Sequence, residues 1–339
     1  MPAFFQTGEF YSLLTAVVWA FSVILFRKSG LTVPPVPLNL FKGTVALALL
    51  VPTLALTGGT FFPQSATLSD VVMLAVSGVL GIAIADSLFF ACLNRLGAAR
   101  TAVVDCLYSP FVVLCAVVGL GEPLTAVLLV ALALMVTAVF LGAWEPSAKA
   151  PLERARLLKE QRLGVLYGVL SLILMAVGIT MVKPALDRSE LIWATTVRIL
   201  GAVLFLGVQG LLPSHRAVTK RIFTPSREWR LLVPASVIGT YVAMVLWLAG
   251  MKYTHASISS VLNQMSTLFV PILGWLFLKE RLNRRIVLAI FLGFCGAALL
   301  GLLPPNLHRS VRDGVEAAAR VSKRLTGEPK LRNLQKGSP

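Results

Sequence analysis

Four ionisable side chains lie inside long apolar runs of this chain: Lys42, Asp86, Asp105 and Arg198. A charge in hydrocarbon is costly, so each needs a partner, a watery cavity or a route to the interface. Counted at 1.5 Å per helical residue, Lys42, Asp86 and Asp105 each sit roughly 7 to 10 Å inside the same face, a depth at which they can meet. Arg198 sits about as deep from the opposite face. Asn263 follows Asp105 by about 158 residues, with Gln264 beside it. The pattern predicts a central cavity in which Lys42 faces the acid Asp105 and Arg198 faces the amides Asn263 and Gln264. Such a cavity binds zwitterionic or anionic metabolites, or lets a carboxylate carry a proton. The competing reading has Lys42 snorkelling to the interface and the acids serving as structural counter-ions.

Aromatic residues add candidates. Trp19, Tyr108, Tyr241 and Trp247 lie within spans rather than at their ends, where belt residues belong, so they pack in the interior or line the cavity. Trp193 and Trp275 lie nearer helix ends and read as packing residues or interfacial anchors.

The elements that must position these groups follow from composition. With 57% hydrophobic and 14% charged residues and a mean hydropathy of +0.82, the 339-residue chain lacks the polar surface of a water-soluble globule. A span needs about 20 apolar residues to cross roughly 30 Å of hydrocarbon. About ten such runs occur, at 10–26, 38–57, 69–92, 98–120, 124–143, 163–183, 191–212, 231–252, 256–278 and 285–303. The chain also reads twice. The stretch from Leu96 to Leu124 is echoed from Thr254 to Leu282, each copy closing on an acid before a leucine, Glu122 and Glu280. Five spans per copy is an odd number, so the second copy enters from the opposite face. The expected fold is an all-α membrane protein of about ten transmembrane helices, built as two inverted five-helix repeats.

The first repeat covers 1–143 and the second 163–303. Residues 144–162, where proline and charge replace the apolar run, form a charged linker, and 304–339 form a basic tail expected on the membrane surface. Glu9 precedes the first apolar run in place of a basic region, so that run is expected to stay as helix one. Cys92, Cys106, Cys115 and Cys295 all fall inside spans without metal-type spacing, which predicts burial rather than zinc or redox chemistry.

The net charge of +16 does not point to nucleic acid, because the cations sit in loops and tail. The loops opposite the termini hold 18 Lys and Arg residues, those on the terminal side only Lys183, Arg188 and Lys252, and the tail 8. The positive-inside rule then places the basic loops in the cytoplasm and both termini outside. Gly293, Ala297 and Gly301 form a small-residue stripe on helix ten, where another helix approaches closely, within the chain or in a homodimer. Pro110 and Pro271 are expected to interrupt helices four and nine in their middles, as hinges or as static kinks.

Taken together, Trp19 in AVVWAFSVILF, a basic residue early in the second helix of each half, the fourth-helix pattern around Pro110 and Pro271, and the closing turns GEPL and KERL resemble the EamA-type permeases of the drug/metabolite transporter superfamily. The resemblance spans roughly residues 10–303. It implies a ten-helix inverted-repeat permease that moves small metabolites or drugs, frequently outward, by alternating access. It also implies that both termini are cytoplasmic, against the charge count, and the first-half turn carries Gly121 where the second carries Lys279.

Three function classes compete. A secondary carrier fits duplicated halves, ionisable groups within the membrane and the lack of a GxxxxGK[ST] nucleotide motif. An integral-membrane enzyme needs a catalytic constellation, but His215, His255 and His308 lie in a loop, at a helix start and in the tail, with no HExxH or GxSxG. A channel needs a continuous polar stripe, and a scaffold needs no cavity. The expectation is a non-enzymatic carrier of a small-molecule substrate in the cell membrane, without cofactor or metal, possessing no catalytic residues.

Overall fold

The computed structural model describes residues 8–61, 63, 66–120, 126–142, 151–253, 259 and 262–301. Among them every regular element is helical: α1 Gly8–Ser29, α2 Pro35–Leu56, α3 Leu68–Gly78, α4 Ala85–Leu96, α5 Ala98–Asp105, α6 Tyr108–Leu120, α7 Ala126–Gly142, α8 Pro151–Arg188, α9 Leu191–Leu211, α10 Pro213–Ile222, α11 Trp229–Ser236, α12 Ala243–Tyr253, α13 Ser266–Leu278 and α14 Arg284–Gly301. The basic tail and linker residues 144–150 lie outside the described residues, while 151–162 form the charged opening turns of α8.

Sequence chemistry sets the starts and stops. Pro35 begins α2, where its missing N–H costs nothing. Thr67 and Asp70 form a capping box on α3, each side chain accepting the other's backbone N–H. Lys279 ends α13 in the left-handed conformation at φ 56°, turning the Glu280 N–H back to the Gly274 carbonyl.

Among the described residues, six helical stretches are long and apolar enough to cross a membrane: Gly8–Ser29, Pro35–Leu56, Leu68–Leu96, Ala155–Arg188, Leu191–Leu211 and Trp229–Tyr253. Two are not uniform α-helix. Wide π-type turns at Val79–Ile84 and Val237–Val242 join α3 to α4 and α11 to α12, and they lie 158 residues apart (79 to 237). A wide turn withdraws carbonyls from the ordinary ladder, and polar neighbours take them up. The Asn39 amide donates to the Ile82 and Ala83 carbonyls, both at 2.9 Å, and the Ser171 hydroxyl donates to Ala85 at 2.7 Å.

The break in the fourth-helix pattern precedes the proline. Cys106 and Leu107 form a turn between α5 and α6, leaving Pro110 in the first turn of α6, where proline is tolerated. The second copy turns at Gln264 and Met265, the same register, with Pro271 inside α13. The Gln264 amide reaches across to the Asp105 and Cys106 carbonyls, at 3.3 and 3.1 Å, and so satisfies the first break from the second half.

Small residues set which helices meet. A methyl on Gly43 would fall 2.9 Å from Val203, and one on Gly210 would fall 2.9 Å from Leu40, so α2 and its counterpart α9 run antiparallel. Ser12 likewise meets Gly250 while Ser22 meets Gly239, which makes α1 antiparallel to the α11–α12 helix. Gly293 is used within the chain: its Cα faces Cys106 and Ala138, and Gly296 faces Met135. The side chains of Ala297 and Gly301 lie outside the described residues.

Candidate functional site

The wide turns and the two helix breaks surround one central cavity, which holds about 100 Å³ of free space. That room suits a molecule on the order of ten non-hydrogen atoms, since one water needs about 10–15 Å³ by the same measure. Lys42, Asp86, Asp105, Arg198, Asn263, Gln264, Trp19 and Tyr108 all line it. Tyr241 does not: its hydroxyl shares a 2.7 Å hydrogen bond with Thr53, tying the second wide turn to α2.

The pairing inside the cavity differs from the expected one. Lys42 does not snorkel; it is 2% exposed, and its Nζ lies 2.5 Å from Asp86 Oδ2 and 5.4 Å from the Phe90 ring centre. Its partner is thus the acid of α4 rather than Asp105. The reason is rotational: Asp86 comes directly after the wide turn, which carries about one extra residue and swings the start of α4 by roughly 100°. Asp105, the last residue of α5, is half-buried against the cavity, and among the described residues no cation pairs with it.

Arg198 also departs from expectation. Its guanidinium does not meet the amides: the Gln264 amide donates to the carbonyls of the first break and the Asn263 amide to Ser259 at 3.4 Å, while Asn263 Oδ1 accepts from none of the described residues. It stacks instead over the Trp247 ring, 5.7 Å from its centre. Nε and Nη1 are buried with no hydrogen-bond partner among the described residues, as is the Tyr108 hydroxyl. The root of this side chain is fixed by backbone contact, since a methyl on Gly78 would fall 1.9 Å from the Arg198 carbonyl oxygen. Gly81 leaves room at the tip, where a methyl would lie 3.6 Å from Nη2.

Residues related by the repeat face the same space. Phe89 and Trp247 line it from positions 158 apart, as do Gly81 and Gly239, Asp86 and Met244, Asp105 and Asn263, and Tyr108 and Ser266. Trp19 and Met175 do so at a spacing of 156, the spacing that also relates Lys42 to Arg198. Sequence reasoning misses Asn39, Phe89, Met175, Met244 and the two wide turns. The only available signal is Gly81 and Gly239 at repeat spacing inside otherwise apolar spans.

The closing acid of the second copy works away from the cavity. Glu280 accepts the backbone N–H groups of Ala98 and Ala99, both at 2.9 Å, with Arg27 3.9 Å away. It therefore caps the first turn of α5, an arrangement the helix dipole favours. Gly97, at φ 81°, makes this possible, because a methyl there would fall 2.9 Å from the carboxylate. Glu122 lies outside the described residues. Of the four free thiols, Cys92 and Cys106 are buried as expected whereas Cys115 and Cys295 are only half-buried, and no metal-type cluster occurs among the described residues.

Comparison with known proteins decides the family. The model of the EamA-like transporter family matches residues 6–143 and again 162–302. The chain belongs to the EamA-like transporter family. A relative from Archaeoglobus fulgidus, described as an uncharacterized transporter, is 28% identical over 299 residues, covering 87% of this chain and 97% of that protein. A solved structure described only as the crystal structure of a protein superposes with a TM-score of 0.61 at 18% identity, covering 88% of this chain and 99% of that one, a likeness of fold alone. This EamA-like transporter is thus an integral membrane protein of two repeats.

Proposed function

We propose that the protein is a secondary carrier that moves small metabolites or drugs outward across the cell membrane by alternating access, with ten spans arranged as two inverted five-helix repeats. The observation that carries this reading is the central cavity, lined by repeat-related residues from both halves and holding the few charged groups of the membrane interior. Antiparallel packing of α2 on α9 supports the inversion. Broken helices at the cavity wall are the feature such carriers use to bring backbone dipoles to a solute.

Asp105 is the proposed proton site. Asp86 is held by Lys42, whereas Asp105 faces the cavity without a paired cation, so it can exchange a proton with little rearrangement. The test is counterflow in proteoliposomes against a metabolite panel. Saturable counterflow that no nucleotide drives is the expected result, and none with any panel member would defeat the carrier reading. Asp105→Asn is expected to abolish transport driven by a pH gradient while keeping counterflow. Unchanged pH-driven transport in that variant would remove Asp105 from the role.

A further inference from the structure

The two cations of the cavity are not served alike. Lys42 has Asp86 within 2.5 Å, but the residue at the equivalent place in the second half is Met244. Arg198 is 2% exposed, and two of its guanidinium nitrogens lack partners among the described residues. Asp86 lines the same cavity but is already bound, and no carboxylate approaches Arg198 within ion-pair distance among the described residues. An unsatisfied guanidinium in hydrocarbon is a standing cost, and the ligand that relieves it best is a small oxyanion held on one of its two forks, Nε with Nη2 or Nη1 with Nη2. The Tyr108 hydroxyl, buried and unpartnered on the same cavity, is a third unmet donor. Trp247 lies beneath the guanidinium, and Gly81 lines the cavity beside its tip.

We infer that Arg198, with the Tyr108 hydroxyl, forms a seat for one small monoanion, the carboxylate of a carried molecule or a free inorganic anion, in the place where the first half has its own Asp86. The inference rests on the carrier reading for its purpose but not for its chemistry. In the first half the counter-ion belongs to the protein; in the second it arrives as ligand.

The test uses thermal unfolding of the full-length protein in detergent, with propionate, chloride and the neutral isostere propionamide as probes, and the bulky sulfonate MES balancing ionic strength. Ligands that bind the folded state raise the midpoint. Propionate or chloride is expected to raise it and propionamide is not. Met244→Asp supplies the missing carboxylate from within, so it should stay folded and lose the anion response. Arg198→Gln should weaken anion binding by about tenfold or more, the worth of a charge-assisted hydrogen bond. A response to propionate alone assigns the seat to a carried carboxylate, and an equal response to chloride assigns it to an inorganic anion. No response to either, an equal response to propionamide, or an undiminished response in Met244→Asp overturns the inference. Counterflow on the same preparation separates the two ideas. Persistent counterflow without any anion response removes the anion seat alone, whereas an anion response without counterflow removes the carrier reading alone.

Discussion

The first half of the molecule neutralises its buried cation with a neighbouring acid, and the second half leaves its own without one. Lys42 and Arg198 stand at the same repeat position, each over an aromatic ring, yet Asp86 accompanies the first and Met244 the second. Duplication supplied two equal scaffolds, and a single side chain then divided their work. One half became self-sufficient, and the other became a place that something else must complete.

The sharpest way to break this comparison is to remove each charge in turn. Asp86→Asn strands Lys42 and should cost about 3–5 kcal/mol, while Lys42→Met combined with Asp86→Leu should recover most of the loss. Arg198→Met, by contrast, relieves an uncompensated charge and should be neutral or stabilising. Unfolding by a denaturing detergent titration reads all of these, and a loss in Arg198→Met as large as that in Asp86→Asn would end the distinction between the halves.

A smaller effect concerns how the second cation is held. Gly78→Ala drives a methyl into the Arg198 carbonyl, and separating α3 from α9 should cost about 1–3 kcal/mol, with transport falling alongside stability. The smallest effect concerns the bridge between halves. Gln264→Leu leaves the Asp105 and Cys106 carbonyls unmet and should cost about 1 kcal/mol, visible as faster amide exchange confined to the Cys106–Leu107 break.

The repeat, the apolar spans and the charged set are legible because each depends on spacing along the chain. Depth within a helix also comes from counting, which places Lys42, Asp86 and Asp105 at one level. Azimuth cannot be counted once a helix is irregular. The wide turn at Val79–Ile84 rotates Asp86 onto Lys42, and no residue in VLGIAI announces it beyond Gly81. The break falls at Cys106–Leu107 rather than at Pro110 for a related reason: the turn depends on an amide from Gln264, 158 residues beyond Cys106, and proline is only its neighbour. Depth alone makes Tyr241 a cavity candidate, yet it lies within the second wide turn and faces Thr53.

The clasp made by Glu280 has a consequence for anyone reading natural variation in this chain. Its partners are peptide groups, so the clasp asks nothing of the side chains at 98 and 99, and what holds both to alanine is their burial in the core. Substitution scanning there would report packing, through the loss of stability that larger side chains bring, and only a proline, which removes the N–H itself, would register on the clasp. The constraint that belongs to the clasp itself is therefore displaced onto two positions far apart in the chain, the acid at 280 and the glycine at 97.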